Sequence, residues 1–346
     1  MGNQLLSFRA GTRQRHAKVG VIAYNAGQPG TPLELPRVGM LSRLIVQLRG
    51  TITYSAAGTL ADTGPWNLLS RIRVNSNLGA ATLWDTTGFG AYIANRFMQR
   101  GWSPEKAGIG DSTPNADVHL FPLSGTTQAF CVTYEIALGA NDGVNFDTGL
   151  INLQAPETRV TVEPTFGNLT DPASNVTAIS ANLHVYYEYY EIPDPSRFAQ
   201  PGLSLVRTLE EQQSVNQTGD NIYTVPRAGT VLDLAHVLIL NGSRSDSFDS
   251  TTLKFNKTDS VYQDERQWKR VEERRLTGLA PLTGVVYHDF FHAMNDVNKG
   301  DTRDAIDSEK LTTFESIVTV SNGATLGSNN NFLRSVRRIL QVLQPA

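Results

Sequence analysis

Leu35-Pro36-Arg37-Val38-Gly39-Met40-Leu41-Ser42-Arg43-Leu44-Ile45-Val46-Gln47-Leu48-Arg49-Gly50-Thr51-Ile52-Thr53-Tyr54 is the stretch that decides the fold class. Val38, Met40, Leu44, Val46, Leu48, Ile52 and Tyr54 fall on one side of a period-two alternation, with Arg43, Gln47, Arg49, Thr51 and Thr53 on the other. Side chains alternate across a strand, so this is a long strand with one buried and one polar face. A turn at Asp62-Thr63-Gly64-Pro65-Trp66-Asn67-Leu68-Leu69 then leads to a second strand around Arg71 to Val74, and a helix follows Trp84-Asp85-Thr86.

The same opening returns as Val225-Pro226-Arg227-Ala228-Gly229, with Pro226 placed 190 positions after Pro36. Leu232, Leu234, Leu238 and Leu240 stand where Ser42, Leu44, Leu48 and Gly50 stood, so the inward register survives the offset. A slip of one residue would turn every inward side chain outward, which makes the kept register informative. Val231, Ala235, Val237 and Ile239 are apolar too, and the second strand is expected to be buried on both faces. A helix follows each copy, through Phe89, Tyr92, Ile93 and Phe97 in the first and Val261, Trp268 and Val271 in the second. The working expectation is one β-rich unit present twice, with Pro36, Arg37, Gly39, Pro226, Arg227 and Gly229 as its repeated structural motif.

A chain of 346 residues is long enough for two domains. Hydrophobic content of 40% with 18% charged residues is that of a globular protein, and no apolar run reaches the ~20 residues of a membrane-spanning helix. The net charge of −3 argues against specific nucleic-acid recognition, which needs a clustered positive excess. The single cysteine, Cys131, sits in the alternating run from Ala129 to Leu138 and reads as a buried structural thiol. The opening residues lack a secretory apolar segment, and Leu6 stands where a myristoylation signal wants Ser or Thr; synthesis in a cytoplasm is expected.

Residues 1–18 carry Arg9, Arg13, Arg15, His16 and Lys18 without an acidic residue, and read as a basic N-terminal arm facing lipid, nucleic acid or an acidic subunit. The first unit then spans 19–192, starting with a short strand from Val19 to Tyr24. Arg100 to Pro122 is a long polar excursion, and Val176 to Ile192 is a closing strand rich in tyrosine. A Pro-rich linker at 193–202 separates it from a second unit at 203–346. That unit is expected to contain a charged helix from Ser260 to Leu276, with Glu265 placed to pair with Lys269. Phe332 to Leu343 has helical spacing, but its position in the repeat matches the closing strand, and we read it as strand.

Catalytic signatures are thin. No phosphate-cradling Gly-rich loop, nucleophile elbow or zinc-spaced Cys/His set occurs, so no catalytic, cofactor or metal residue is assigned. His288 and His292 would share a helical face, but the segment reads as strand or turn. Asp142, Asn145 and Asp147, and Asp296, Asn298 and Asp301, are oxygen-rich loops better explained by turn chemistry. His236 replaces Val46 in the repeat and is expected to be a hydrogen-bonded core histidine.

Gly64, Pro65, Asn67, Leu68 and Arg71 lie in a stretch that resembles the Phe-Gly-Pro-Ala-Asn-Leu-Val-x-Arg sequence of the double jelly-roll major capsid proteins of the tectivirus and adenovirus-hexon lineage. The helix from Trp84 to Asn95 is similar to theirs, as is Trp268 to Arg275 followed by Gly284-Val285-Val286-Tyr287; Trp66 departs, standing where the family has a small residue. The resemblance implies an all-β chain of two tandem eight-stranded jelly-roll sandwiches with short helices in the inter-strand loops. It further implies a homotrimer tiling the capsid shell of a tailless icosahedral virus, a bacteriophage by the tectiviral likeness. Its partners would be neighbouring capsomers, vertex (penton) and minor capsid proteins, and an internal membrane under the arm, where each cation contributes roughly 1 kcal/mol near an anionic bilayer. Two other classes stay open: a glycan- or receptor-binding β-sandwich, and a tandem jelly-roll glycan hydrolase.

Overall fold

The computed structural model describes residues 8–78, 81–98, 120–139, 147–192, 204–257, 259–278, 280–291, 305–327 and 330–342. The expected linker at 193–202, most of the Arg100 to Pro122 excursion, His292, Asp142, Asn145, Asp296, Asn298 and Asp301 lie outside them. The chain divides into two compact units, Met1–Thr208 with Val342–Ala346, and Leu209–Gln341.

The first unit opens with a single helical turn, α1 (Phe8–Gly11), and strand β1 (Arg13–Ala23). Then come β2 (Leu33–Glu34), β3 (Met40–Tyr54), β4 (Leu69–Ser76) and β5 (Thr82–Thr86). Helix α2 (Gly88–Ile93), continued by a π turn at Ala94–Met98, precedes β6 (Gln128–Ala137), β7 (Ile151–Asn152), β8 (Val160–Phe166) and β9 (Val176–Glu191). One sheet runs β1-β9-β3-β6, with β7 also paired to β3, and the other β2-β8-β4-β5. Met40, Leu44, Val46, Leu48, Ile52 and Tyr54 are buried as the alternation required, as are Val74, Val132, Val162 and Val185. Val38 is the exception at 40% exposure, because it precedes the strand and its pleat.

The second unit repeats the plan. Strand β10 (Ser204–Ser214) begins in the first unit and passes into the second at Leu209. It is followed by β11 (Gly219–Thr224), β12 (Thr230–Leu240), β13 (Ser243–Arg244), β14 (Phe248–Phe255) and β15 (Asp259–Glu265). Helix α3 (Arg266–Thr277) leads to β16 (Val285–Asp289), β17 (Ile306–Asp307), β18 (Phe314–Val320) and β19 (Phe332–Val342). The sheet orders are β10-β19-β12, with β13, β16 and β17 also on β12, and β11-β18-β14-β15. Strand for strand this is the order of the first unit. Phe332–Val342 is a strand, its arginines accommodated by carboxylates on β10 and β12. Val231 to Leu240 is buried throughout, so both faces of β12 are covered.

Two expectations need correction. The basic arm is strand from Arg13 onward, because β9 offers it both a ladder and counter-charges: Arg15 pairs with Glu191 at 3.1 Å, and Gln14 donates to Glu188 at 2.9 Å. The charged helix starts at Arg266 rather than Ser260, since Asp259–Glu265 pairs with β14 as a strand. Lys269 consequently meets Asp264 at 3.0 Å and Glu272 at 2.8 Å instead of Glu265. Lys269 and Glu273 face inward, and Trp268 and Val271 are more than half exposed.

His236 lies between the two sheets of the second unit, its ring nitrogens 2.7 Å from Ser335 Oγ on β19 and 2.7 Å from Ser316 Oγ on β18. Burial pushes its imidazole down to about 3, so the folded state holds it neutral. The unfolded chain titrates near 6.5 and binds the proton more strongly between those values. The stability present above pH 6.5 is therefore lost as pH falls toward 3. Urea unfolding at about pH 5 should show at least about 2 kcal/mol less stability than at about pH 7.5, and His236→Gln should remove about 2 kcal/mol of that loss, the remainder coming from His288, which burial also holds neutral.

Candidate functional site

The repeated motif is where each sandwich sets its register. Gly39 and Gly229 both have positive φ, +70° and +105°, a region that L side chains rarely enter. A Cβ on Gly39 would lie 2.6 Å from the Tyr190 carbonyl oxygen, and one on Gly229 2.6 Å from that of Leu340. Each glycine thus lets the backbone approach the closing strand. Arg37 Nη1 donates to the Pro156 carbonyl at 2.9 Å, and Arg227 Nη1 to the Leu311 carbonyl at 2.9 Å. Both arginines fasten the loop after a short strand, β7 or β17, whose partners on β3 and β12 are again 190 positions apart: Met40 with Asn152, Thr230 with Asp307.

Immediately beyond the motif, both strand pairs carry a β-bulge at the same place, between Leu41 and Arg43 and between Val231 and Asp233. Arg43 Nε lies 3.0 Å from Glu188 on β9, and its Nη1 donates to Glu135 on β6 at 2.7 Å. In the second unit the same register positions hold Asp233, Arg338 and Tyr287. Arg338 Nε donates to Asp233 Oδ2 at 2.6 Å, and the Tyr287 hydroxyl to Oδ1 at 2.6 Å. The charges are inverted between the copies. Burial pushes the Glu135 carboxyl up, against the pull of Arg43, and pushes the Tyr287 phenol well up, helped by Asp233. The first set is partly solvated through Arg43 at 28% exposure, while Asp233 and Arg338 are enclosed. None of these partners stood out in sequence. The closing strands are offset by 150 positions and the opening strands by 190, so no single offset aligns the ion pairs.

Gly64, Pro65, Asn67, Leu68 and Arg71 form a corner rather than a cleft. The Gly64–Pro65 bond is cis, and a 3-10 turn follows at Trp66–Leu68. The Asn67 amide donates to Thr63 Oγ1 at 3.1 Å and to the Asp171 carbonyl, while the Leu68 carbonyl accepts from the Gly167 N–H at 2.8 Å. Arg71 makes a two-pronged contact with Asp85 at 2.6 and 2.7 Å. Trp66 is buried with its ring stacked on Tyr92 of α2 at 4.5 Å, and the Tyr134 hydroxyl donates to its carbonyl at 2.7 Å. The indole fills the space beneath the helix.

Of the basic residues, Arg9 lies in α1, while Arg13, Arg15 and Lys18 lie along β1, opposite Glu191, Tyr189 and Tyr186. Cys131 is buried beside Thr133. His288 is buried on β16, its ring parallel to that of Phe290. Among the described residues, no three His, Cys, Asp or Glu side chains gather as a metal site.

No protein-family profile and no curated protein matches the chain. Solved structures do. The crystal structure of the STIV MCP superimposes with a TM-score of 0.68 at 14% identity, over 95% of this chain and 97% of that one. The two sandwiches form a double jelly roll. The PBCV-1 virus capsid gives a TM-score of 0.65 at 10% identity, over 95% and 93%. The major capsid protein P2 from Bacteriophage PM2 gives 0.55 at 10%, over 96% and 98%. At such identities the double jelly roll is shared as a fold.

Gly229→Ala must move the Leu340 carbonyl as well as hold a left-handed backbone. Gly219, at φ +85° with nothing within 4 Å, isolates the backbone effect. Thermal unfolding should show about 1 kcal/mol lost in Gly219→Ala and at least about 1 kcal/mol more in Gly229→Ala.

Asp233→Leu strands Arg338 in the interior and should cost about 3–5 kcal/mol, whereas Asp233→Leu with Arg338→Met removes both charges and should recover most of it. A double-mutant cycle by urea unfolding measures the difference.

Proposed function

We propose that this chain is the major capsid protein of a tailless icosahedral virus and acts in the virion shell. The observation that carries this is the repetition of one strand order in both units of a single chain, together with end-to-end coverage of solved capsid proteins. Three chains of two sandwiches would place six sandwiches in a ring, a tile suited to hexagonal packing in which unlike halves meet unlike neighbours. Neighbouring capsomers, vertex (penton) proteins and minor capsid proteins are its proposed contacts, and the tectiviral likeness favours a bacteriophage.

A structural role rather than catalysis is supported by the setting of Glu135, a carboxyl whose basicity burial raises. Glu135 is buried and held by Arg43 instead of opening to a cleft. Arg9, Arg13, Arg15 and Lys18 are proposed to face an internal membrane. Arg15 already spends charge on Glu191, so Arg13 and Lys18 would supply most of the attraction.

Light scattering on the purified full chain tests the assembly. The expected mass is about 114 kDa, three times the 37.9 kDa chain. A monomer would overturn the capsomer and turn attention to the glycan-binding and glycan-hydrolase readings, which need no trimer.

A further inference from the structure

We infer that the outer face of the β1-β9-β3-β6 sheet carries a binding site for an organic oxyanion, a carboxylate or phosphate on an apolar body, built from Arg49 and His184 beside Leu120 and Ala129, with Lys18 close by on β1. A cavity of about 510 Å³ opens here, lined by Arg49 on β3, His184 on β9 and the β6 residues Ala129, Phe130 and Cys131. Its volume falls within the range of small-molecule sites, roughly 300–1,000 Å³, and exceeds what a bare inorganic anion fills. Leu120 also lines it, held against the edge of β6 by a two-way backbone pair with Cys131, 2.8 Å in each direction.

Charge distinguishes this corner from the rest of the face. Arg43, on the same face, is matched by Glu135 and Glu188. Neither Arg49 nor Lys18 has a carboxylate partner among the described residues. Arg49 Nη2 lies 3.4 Å from His184 Nδ1. A guanidinium can only donate, so Nδ1 accepts and the imidazole proton resides on Nε2, leaving an N–H donor for a ligand. Burial lowers the His184 basicity first, and Arg49 and Lys18, the charged groups facing it from β3 and β1, lower it further. An incoming oxyanion would relieve that repulsion, draw the Arg49 N–H groups off Nδ1 as charge-assisted hydrogen bonds to itself, and lay its apolar body on Leu120 and Ala129. It would favour the imidazolium, so binding should take up a proton and tighten as pH falls through the histidine's titration.

The test uses the full chain with hexyl phosphate and inorganic phosphate as probes, read by calorimetry and by the NMR titration of His184. The expected results are tighter binding of hexyl phosphate than of phosphate, an upward shift of the His184 titration on saturation, and a loss of about tenfold or more in Arg49→Gln, as when a charge-assisted hydrogen bond is removed. Arg49 has no carboxylate partner to lose, so this variant should keep the parental melting temperature. Vesicles with and without anionic phospholipid separate the two sources of such a ligand: Arg49-dependent co-sedimentation assigns a lipid headgroup, and hexyl phosphate binding without it assigns a soluble metabolite. Unchanged affinity in a folded Arg49→Gln, or an unmoved His184 titration at saturation, overturns the site. Because none of these measurements requires assembly, their failure would leave the capsid reading intact, and a monomeric chain would leave the site intact.

Discussion

Each sandwich depends on the register between its long opening strand and its closing strand. β3 against β9, and β12 against β19, carry the inward rows that build the two cores. Because strand side chains alternate with period two, a one-residue slip would send Leu44, Val46 and Leu48 to solvent. The register is pinned at one end by a glycine that permits close approach, an arginine that fastens the neighbouring loop, and a bulge two positions later. Pro36, Arg37 and Gly39 are repeated as Pro226, Arg227 and Gly229 because both copies face the same geometric problem.

The ion pair at the bulge shows how far the copies can diverge within that constraint. Arg43 between two glutamates and Asp233 between an arginine and a tyrosine occupy the same three ladder positions, with the Arg43–Glu188 pair reversed as Asp233–Arg338 and a neutral tyrosine in the place of Glu135. Changing one member alone would set like charges together or leave a charge unpaired, so the sets can only differ as wholes. Their surroundings differ accordingly. The first set keeps a solvated edge, which moderates its electrostatics, while the second lies on a strand covered on both faces, where each polar atom needs its partner.

The helices that follow β5 and β15 have also parted. Phe89, Tyr92, Ile93 and Phe97 are all buried, with Tyr92 stacked on Trp66 and Asn95 holding the backbone of Glu135 at the free edge of β6. That contact blunts an edge that could otherwise pair with another chain. In α3 the order is reversed, with Lys269 and Glu273 inside and Trp268 and Val271 outside. Two halves alike in topology and unlike in surface are what a trimeric tile with unequal neighbours would require.

Period-two alternation and the 190-residue recurrence were enough to determine an all-β chain of two like units and the inward faces of β3 and β12, because local pattern survives in a single sequence. The strand at Phe332–Val342 followed from the order of the repeat, against its own helical spacing. Tertiary structure decided the rest. Arg13 to Lys18 looked like a free arm because the carboxylates that receive it, Glu188 and Glu191, lie more than 170 positions away on β9. Ser260 to Leu276 looked wholly helical because its first residues pair with β14, a contact that helical spacing does not encode. Asp233 and Arg338 became partners through ladder register, and the cavity beside Arg49 arises where three strands and Leu120 converge. Strand pairing joins residues distant in sequence, so such sites follow from which strands lie side by side.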